Sequence, residues 1–208
     1  MKIEKNSRQM PSDKHYLSSR TYSDRMYGYL QSISVTFPDM EARFVKKEDC
    51  KFVNLAEGLG ITRQTASKNF HNLLDSGLII YNEEVKMYEL VVLDSNIATL
   101  LPINTVRVLV NTLKERSLSV LAILIKIWYK NEEKSGPFSL SYVKAILGLS
   151  TKNKGASNQT ILDILFVLKK LDLIEYHAQM EGNKTKYYLD SVNNTLNFNE
   201  EEVKTKII

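Results

Sequence analysis

The sequence lacks most features that secreted, membrane and disulfide-bonded proteins carry. It contains one cysteine, Cys50, so no disulfide can form within the chain, and we expect a reducing compartment. The first twenty residues contain no apolar run typical of a secretory signal. The longest apolar run, residues 118–129, is interrupted by Ser119 and Lys126 and is too short to span a bilayer. These absences predict a cytoplasmic protein that makes no membrane contact.

The sequence also lacks the motifs of common enzymes and metal sites. Its three histidines, His15, His71 and His177, lie far apart and have no cysteine or acidic partners at metal-ligand spacing. No phosphate-binding loop, dinucleotide fingerprint or nucleophile–histidine pattern is recognisable. We therefore expect no catalytic residue, metal or cofactor. The net charge of +4 is compatible with binding to nucleic acid but is weak support for it.

The most informative stretch runs from Val53 to Ile80 and predicts two helices, a tight turn between them and a following strand. Gly60 marks the turn, because glycine adopts positive φ readily. Thr62 can cap the second helix at its N-terminus, and Gly77 ends that helix. The apolar positions of this helix recur with a helical period and form one inward stripe: Ala66, Phe70, Leu73 and Leu74.

The outward face of this helix is polar and basic near its start. Arginine and lysine can donate to guanine or phosphate, and glutamine can pair with adenine through two hydrogen bonds. A helix that docks by an apolar stripe and projects a polar face is typical of the recognition helix of a helix-turn-helix. We predict DNA contacts from Thr62, Arg63, Gln64, Thr65, Ser67, Lys68 and His71, and from Lys86 on an otherwise acidic hairpin tip.

A family resemblance supports this interpretation. The segment Thr62 to Lys68, TRQTASK, together with Leu73, Leu74, Gly77, Leu78 and Ile79, resembles the DNA-reading element of the catabolite-activator/Fnr family and of winged-helix regulators generally. The resemblance covers residues 51–94 and implies that residues 78–81 and 85–92 form a wing. The chain before Lys51 is too short for the cyclic-nucleotide barrel of that family, so regulation by such a ligand is not implied.

An internal repeat extends the prediction to the whole chain. The segment VKAILGLS at residues 143–150 follows the pattern of LAEGLGIT at residues 55–62. After an inserted loop at residues 151–157, SNQT at residues 157–160 aligns with TRQT at residues 62–65, so Ser157 corresponds to Thr62. The repeat predicts a mainly α fold with small β-hairpin wings (α+β), built as two winged helix-turn-helix domains in tandem. The predicted division is a flexible basic arm (1–20), a DNA-reading domain (21–94), a second domain (104–190) and a polar tail (191–208).

The predicted second recognition helix differs from the first. Asp163 would be repelled by phosphates, while Leu162 and Phe166 would expose apolar area whose burial is worth on the order of 5–8 kcal/mol. We therefore expect these two side chains at an interface with the first domain or with a second copy of the chain. Four lysines remain candidate contacts to the DNA backbone: Lys152, Lys154, Lys184 and Lys186.

Three functions fit these patterns. The first is a sequence-specific transcriptional regulator that binds double-stranded DNA as a homodimer. The second is a plasmid or phage replication initiator, because residues 138–144, 147–150 and 164–176 resemble winged-helix units of such initiators, which grip repeated sites with two winged helices. The third is an adaptor that uses winged helices to bind protein. A palindromic site, direct repeats or an absence of DNA binding would separate the three.

Overall fold

A computed structural model describes residues 6–18, 22–38, 40–112, 115–149 and 154–193. These residues form a mixed α+β fold with three small antiparallel sheets. The first elements are β1 (Ser7–Pro11), α1 (Lys14–Leu17), α2 (Asp24–Ile33), β2 (Val35–Thr36), β3 (Arg43–Lys46), α3 (Phe52–Leu59), α4 (Arg63–Asp75), β4 (Ile79–Asn82) and β5 (Met87–Leu90). The remainder are β6 (Ala98–Pro102), α5 (Ile103–Thr112), α6 (Ser117–Lys130), β7 (Gly136–Phe138), α7 (Leu140–Ile146), α8 (Lys154–Lys170), β8 (Ile174–Glu181) and β9 (Lys184–Val192).

Two parts of the chain repeat one order of elements. The first unit, α2 to β5, and the second unit, α6 to β9, each run helix, strand, helix, helix, strand, strand, except that the first unit has the additional two-residue strand β2 after α2. The strands that the two units have in common pair in the same order, β3-β5-β4 and β7-β9-β8, and β2 extends the first sheet beside β3. Phe44 of β3 pairs with Glu89 of β5, and Val45 pairs with Tyr88.

The prediction of a flexible arm over residues 1–20 is wrong for its described part. β1 pairs antiparallel with β6, so the predicted connection between the two domains is itself a strand. The buried Arg8 donates from Nε to the Gln31 carbonyl at 2.6 Å. The Gln9 amide both donates to and accepts from the Leu93 backbone at 2.9 Å. Polar side chains are buried here because backbone groups satisfy them.

The two units share one hydrophobic core. Helix α5, assigned from the sequence to the second domain, packs on α2 of the first unit, where a Cβ at Gly28 would lie 2.9 Å from Val110 and 2.4 Å from Leu118. The segment Leu118–Ile125 of α6 is at most 1 % exposed. The predicted division between residues 94 and 104 therefore does not coincide with a gap in the core. Within the described ranges, no helix is long and apolar enough to cross a membrane.

A buried carboxylate joins the two units. The residue before α6, Arg116, has a left-handed backbone (φ 78°) and caps no amide of that helix with its side chain. Instead, Asp24 of α2 accepts a hydrogen bond at 2.8 Å from the backbone N–H of Ser119 in the first turn of α6. Burial raises the pKa of Asp24 to about 7. The first unit thus supplies the N-terminal cap of the central helix of the second.

Candidate nucleic-acid interface

The start of α4 is built as the sequence predicts. Gly60 adopts a left-handed conformation (φ 62°), and the N–H of Ile61 donates to the Ala56 carbonyl at 3.0 Å, which closes α3. Thr62 is extended, and its Oγ1 accepts from the backbone N–H of Thr65 at 3.2 Å. This cap satisfies one of the free amides at the helix start. The turn and the cap together fix the direction in which α4 leaves α3.

The apolar stripe of α4 faces the core. Ala66, Phe70 and Leu73 are at most 2 % exposed, and Leu74 is half-buried. Gly77 has positive φ (68°), and the chain turns immediately into β4. The opposite face of the helix is consequently held towards solvent.

Arg25 and Tyr29 of α2 hold the α3–α4 pair in position. The Arg25 guanidinium donates from Nη2 to the Leu59 carbonyl at 3.0 Å and from Nε to the Val110 carbonyl at 3.1 Å. It thereby ties the C-terminus of α3 to α2 and α5. Gly58 of α3 lies so close to Tyr29 of α2 that a Cβ would sit 2.2 Å from the hydroxyl. The helix that presents the polar face therefore rests on a rigid support.

The predicted DNA-contacting residues of α4 fall into two sets. Arg63, Gln64 and Lys68 are exposed, and no partner within the described residues engages their side chains. The others are engaged locally: the Oγ1 atoms of Thr62 and Thr65 lie 2.8 Å apart, and Ser67 is half-buried. His71 is exposed, and its Nδ1 lies 2.8 Å from the Ser67 carbonyl. A carbonyl only accepts, so this Nδ1 carries the proton. Free polar groups are thus concentrated at the first residues of the helix.

The hairpin after α4 carries more acid than base at its tip. Lys86 is exposed and has positive φ (54°) in the turn between β4 and β5. The Asn82 Oδ1 accepts from the backbone N–H groups of Glu84 at 3.1 Å and Val85 at 3.2 Å, which organises the turn. Glu83 and Glu84 are both exposed beside it. Lys86 is therefore placed where it was expected, among carboxylates.

The corresponding helix of the second unit starts earlier than predicted. α8 begins at Lys154, so residues 154–157 are helical where a loop was expected. Ser157 was aligned with the cap Thr62, but Lys154 and Ala156 are good helix formers, and only Gly155 weakens that turn. The side chain of Lys154 and all of Lys152 lie outside the described residues.

The two outward apolar side chains of α8 differ in burial. Leu162 is half-buried against the core that the two units share, while Phe166 is 54 % exposed. The Lys170 ammonium lies 5.1 Å from the Phe166 ring centroid, so a cation four residues on shields the ring. Of the two interfaces expected for this pair, the exposure of Phe166 does not support packing of its ring on the first domain. An interface with a second copy of the chain remains a prediction.

Several charged side chains of the second unit are engaged by their neighbours. Gln159 donates to Asp163 at 2.7 Å. Lys186 contacts the Glu181 carboxylate, and this interaction raises the pKa of Lys186. Of the candidate backbone contacts, Lys184 alone among the described side chains is exposed without a partner. The hairpin that carries it is formed by β8 and β9.

Two basic residues near α4 escaped the sequence interpretation. Lys47 and Lys51 lie on the turn between β3 and α3 and line a groove together with Arg63 of α4. The Lys47 ammonium sits 5.3 Å from the Tyr81 ring centroid, and Lys51 contacts Glu48. The lysine pair at Lys46 and Lys47 was the available signal, but a charged turn has no periodicity that would place it near a helix.

Comparison of this chain with family models, with curated proteins and with solved structures found no match. Among the described residues, no three His, Cys, Asp or Glu side chains are grouped as metal ligands would be. The site is therefore interpreted from its own geometry and charge. The groups that stand out are the free polar side chains at the start of α4.

Proposed function

We propose that this chain is a sequence-specific double-stranded DNA-binding protein, that its two units are tandem winged-helix domains, and that it acts as a dimeric transcriptional regulator. One observation carries the proposal. Arg63, Gln64 and Lys68 project, exposed and unpaired among the described residues, from the first half of a capped helix whose opposite face is buried. This is the arrangement that a helix needs in order to enter a major groove.

The chemistry of these three side chains suits base and backbone contacts. The Arg63 guanidinium can donate two hydrogen bonds to O6 and N7 of one guanine, and the Gln64 amide can pair with N6 and N7 of adenine. Lys68 lies one turn further along and can reach a phosphate. The N-terminus of the 13-residue helix adds a partial positive charge, which favours the polyanion.

The order of elements supports the winged-helix interpretation. In each unit a helix precedes a short strand, two helices and a hairpin, and the short strand pairs with the second strand of that hairpin. In the first unit this places β4 and β5 directly after α4, where a wing is expected. The resemblance of residues 62–68 to winged-helix regulators points in the same direction.

Selection of binding sites from a random duplex pool, followed by titration of the enriched site across salt concentrations, tests the proposal. Arg63→Ala and Gln64→Ala should each weaken the enriched site by about 1–3 kcal/mol, or roughly 5- to 150-fold. The matched control is Gln159→Ala at the corresponding position of α8. It should leave affinity unchanged, because Gln159 is hydrogen-bonded to Asp163.

The enriched sequence also separates the alternatives. A palindrome supports a dimeric regulator, and light scattering then gives the oligomeric state directly. Direct repeats favour a replication initiator. If no sequence is enriched and Arg63→Ala changes nothing, DNA binding is the wrong function, and the adaptor hypothesis replaces it.

A further inference from the structure

A groove runs along the flank of α4 in the first unit. It lies between α4, the start of α3 and strand β5, and its volume is about 430 Å³. Apolar and aromatic side chains form most of its lining: Phe52, Val53, Phe70, His71, Leu74 and Tyr88. A volume of this size is within the range of small-molecule sites, which is about 300–1,000 Å³.

The lining of the groove is a connected set of rings. Phe52 and Phe70 have ring centroids 6.0 Å apart, Phe70 and Tyr88 are 5.0 Å apart, and Phe52 and His71 are 5.5 Å apart. The first two pairs meet edge to face, so the rings brace one another. Val53 at the border of the groove is 55 % exposed, a large fraction for an aliphatic side chain. A flat apolar body placed in the groove would cover this area.

The rim of the groove is cationic. Lys47, Lys51 and Arg63 line it against one carboxylate, Glu48, which already contacts Lys51. Arg63 has no partner among the described residues. The Cys50 thiol contributes no negative charge, since burial and the neighbouring Asp49 raise its pKa to about 12. An occupant should therefore carry negative charge at one edge of an apolar body.

We propose that this groove binds a small organic anion that consists of an aromatic body and one acidic group, such as a sulfonate or a carboxylate. The rings pack against the body, and the acidic group lies at the rim near Arg63. Arg63 and His71 also belong to the polar face of α4. Because the anion and duplex DNA would both use this face, their binding is mutually exclusive. This exclusion is the only step that rests on the proposed function.

Two fluorescent probes test the ligand class on the whole chain. One is 1-anilinonaphthalene-8-sulfonate, which is an aromatic anion, and the other is N-phenyl-1-naphthylamine, which has the same rings and no charge. The sulfonate should bind at least tenfold more tightly, because only it meets the cationic rim. Equal affinity of the two probes would overturn the proposal.

Two variants locate the binding site. Val53→Glu places a carboxylate at the border of the groove, near the start of α3, where an acidic residue is tolerated because it favours the helix dipole. It should weaken sulfonate binding about tenfold or more. Phe166→Ala removes the exposed ring of the second unit, beside Lys170, and should change nothing. Loss of binding in Phe166→Ala with retention in Val53→Glu would assign the probe to α8 and overturn the proposal.

Competition with the selected duplex then separates this proposal from the proposed function. Displacement of the sulfonate by duplex, with mutually exclusive occupancy, supports the shared use of Arg63. Simultaneous binding of both overturns the exclusion. If the probe binds in the groove and no duplex is bound under any condition, the groove is a ligand site and the DNA-binding function fails. If duplex binds and the probe does not, the DNA-binding function stands and the proposed ligand site fails.

Discussion

Helices α4 and α8 hold the same place in two units with one order of elements, yet their outward faces differ. On α4 the side chains of Arg63, Gln64 and Lys68 are exposed and unpaired within the described chain. On α8 the corresponding face contains an amide bonded to a carboxylate, Gln159 and Asp163, and the exposed ring of Phe166 beside the Lys170 ammonium. The two faces therefore differ in the number of hydrogen-bonding groups left for a partner as well as in charge.

This difference shows that a shared scaffold does not imply a shared partner. Lysines of the second unit are engaged by nearby groups: Lys169 with Glu175 at 2.7 Å, Lys186 with Glu181, and Lys170 with Phe166. Such pairs would have to be broken before a phosphate could replace them. The first unit carries no comparable cost at the start of α4, so it is the better candidate for a DNA reader.

The largest expected effect tests whether the two units unfold independently of each other. Leu121→Ala on α6, where the side chain is fully buried, should lower the free energy of unfolding by about 2–5 kcal/mol. Because α6 belongs to the second unit and packs on α2 of the first, tryptophan fluorescence from Trp128 and far-ultraviolet circular dichroism should report one common urea transition. Lys130→Ala, exposed on the same helix, is the control. Two separate transitions would show that the units unfold independently.

The next largest expected effect is on the pH dependence of stability, which depends on Asp24 at the junction between the units. Asp24 has a pKa of about 7 when folded, against an ordinary value of 3.8, so the folded state holds an extra proton between these values. Stability should therefore fall as the pH rises from about 4 to about 7, by about 1.4 kcal/mol per pH unit. Asp24→Asn should abolish that slope, as measured by urea unfolding at several pH values. An unchanged slope would mean that another group titrates.

Reciprocal charge changes sharpen the comparison of the two faces. Lys68→Asp should weaken binding of the selected duplex by about 10- to 100-fold at moderate salt and reduce the salt slope, because a phosphate contact becomes a repulsion. Asp163→Lys, the matched change on α8, should leave the affinity for that site within about twofold. Fluorescence anisotropy across a salt series measures both. Equal effects from the two substitutions would show that both helices touch DNA.

The smallest expected effect comes from removing the side-chain cap of one helix in each unit. Thr62 caps α4 and Ser139 caps α7, with oxygen-to-nitrogen distances of 3.2 Å and 3.4 Å. Alanine at either position should cost about 0.5–2 kcal/mol of stability. Thr62→Ala should also reduce duplex affinity, whereas Ser139→Ala should not. Thermal unfolding together with anisotropy distinguishes the shared stability effect from the specific one.

Features with local signals were predictable from the sequence. Glycine at the turn, threonine at the cap and an apolar stripe with helical period fix α4 through contacts a few residues apart. Gly60 and Thr62 have the predicted conformations, and the side chains assigned to the inward stripe are buried or half-buried. The candidate side chains on the outward face of α4 are exposed except for the half-buried Ser67, because burial of one helix face determines the position of the other.

Features that depend on distant partners were not predictable. β1 contains a buried arginine and glutamine, and their polarity indicated an exposed arm. The groups that satisfy them, the Gln31 carbonyl and the Leu93 backbone, are 23 and 84 residues away. The groove on the flank of α4 was missed for the same reason, since three separate elements contribute to it. Hydropathy measures the transfer of a residue from water. It contains no information about the distant hydrogen-bond partner that folding brings to that residue.

The pairing of β1 with β6 has a consequence for synthesis of the chain. β1 ends at Pro11 and its partner ends at Pro102, so the first strand emerges long before the strand that completes its sheet. At a ribosomal rate of roughly 5–20 residues per second, β1 waits on the order of 5–20 s for that partner. Throughout this interval Met10, fully buried in the finished fold, lacks the part of its core that β6 and α6 contribute. The first unit is therefore complete only after part of the second has been synthesised.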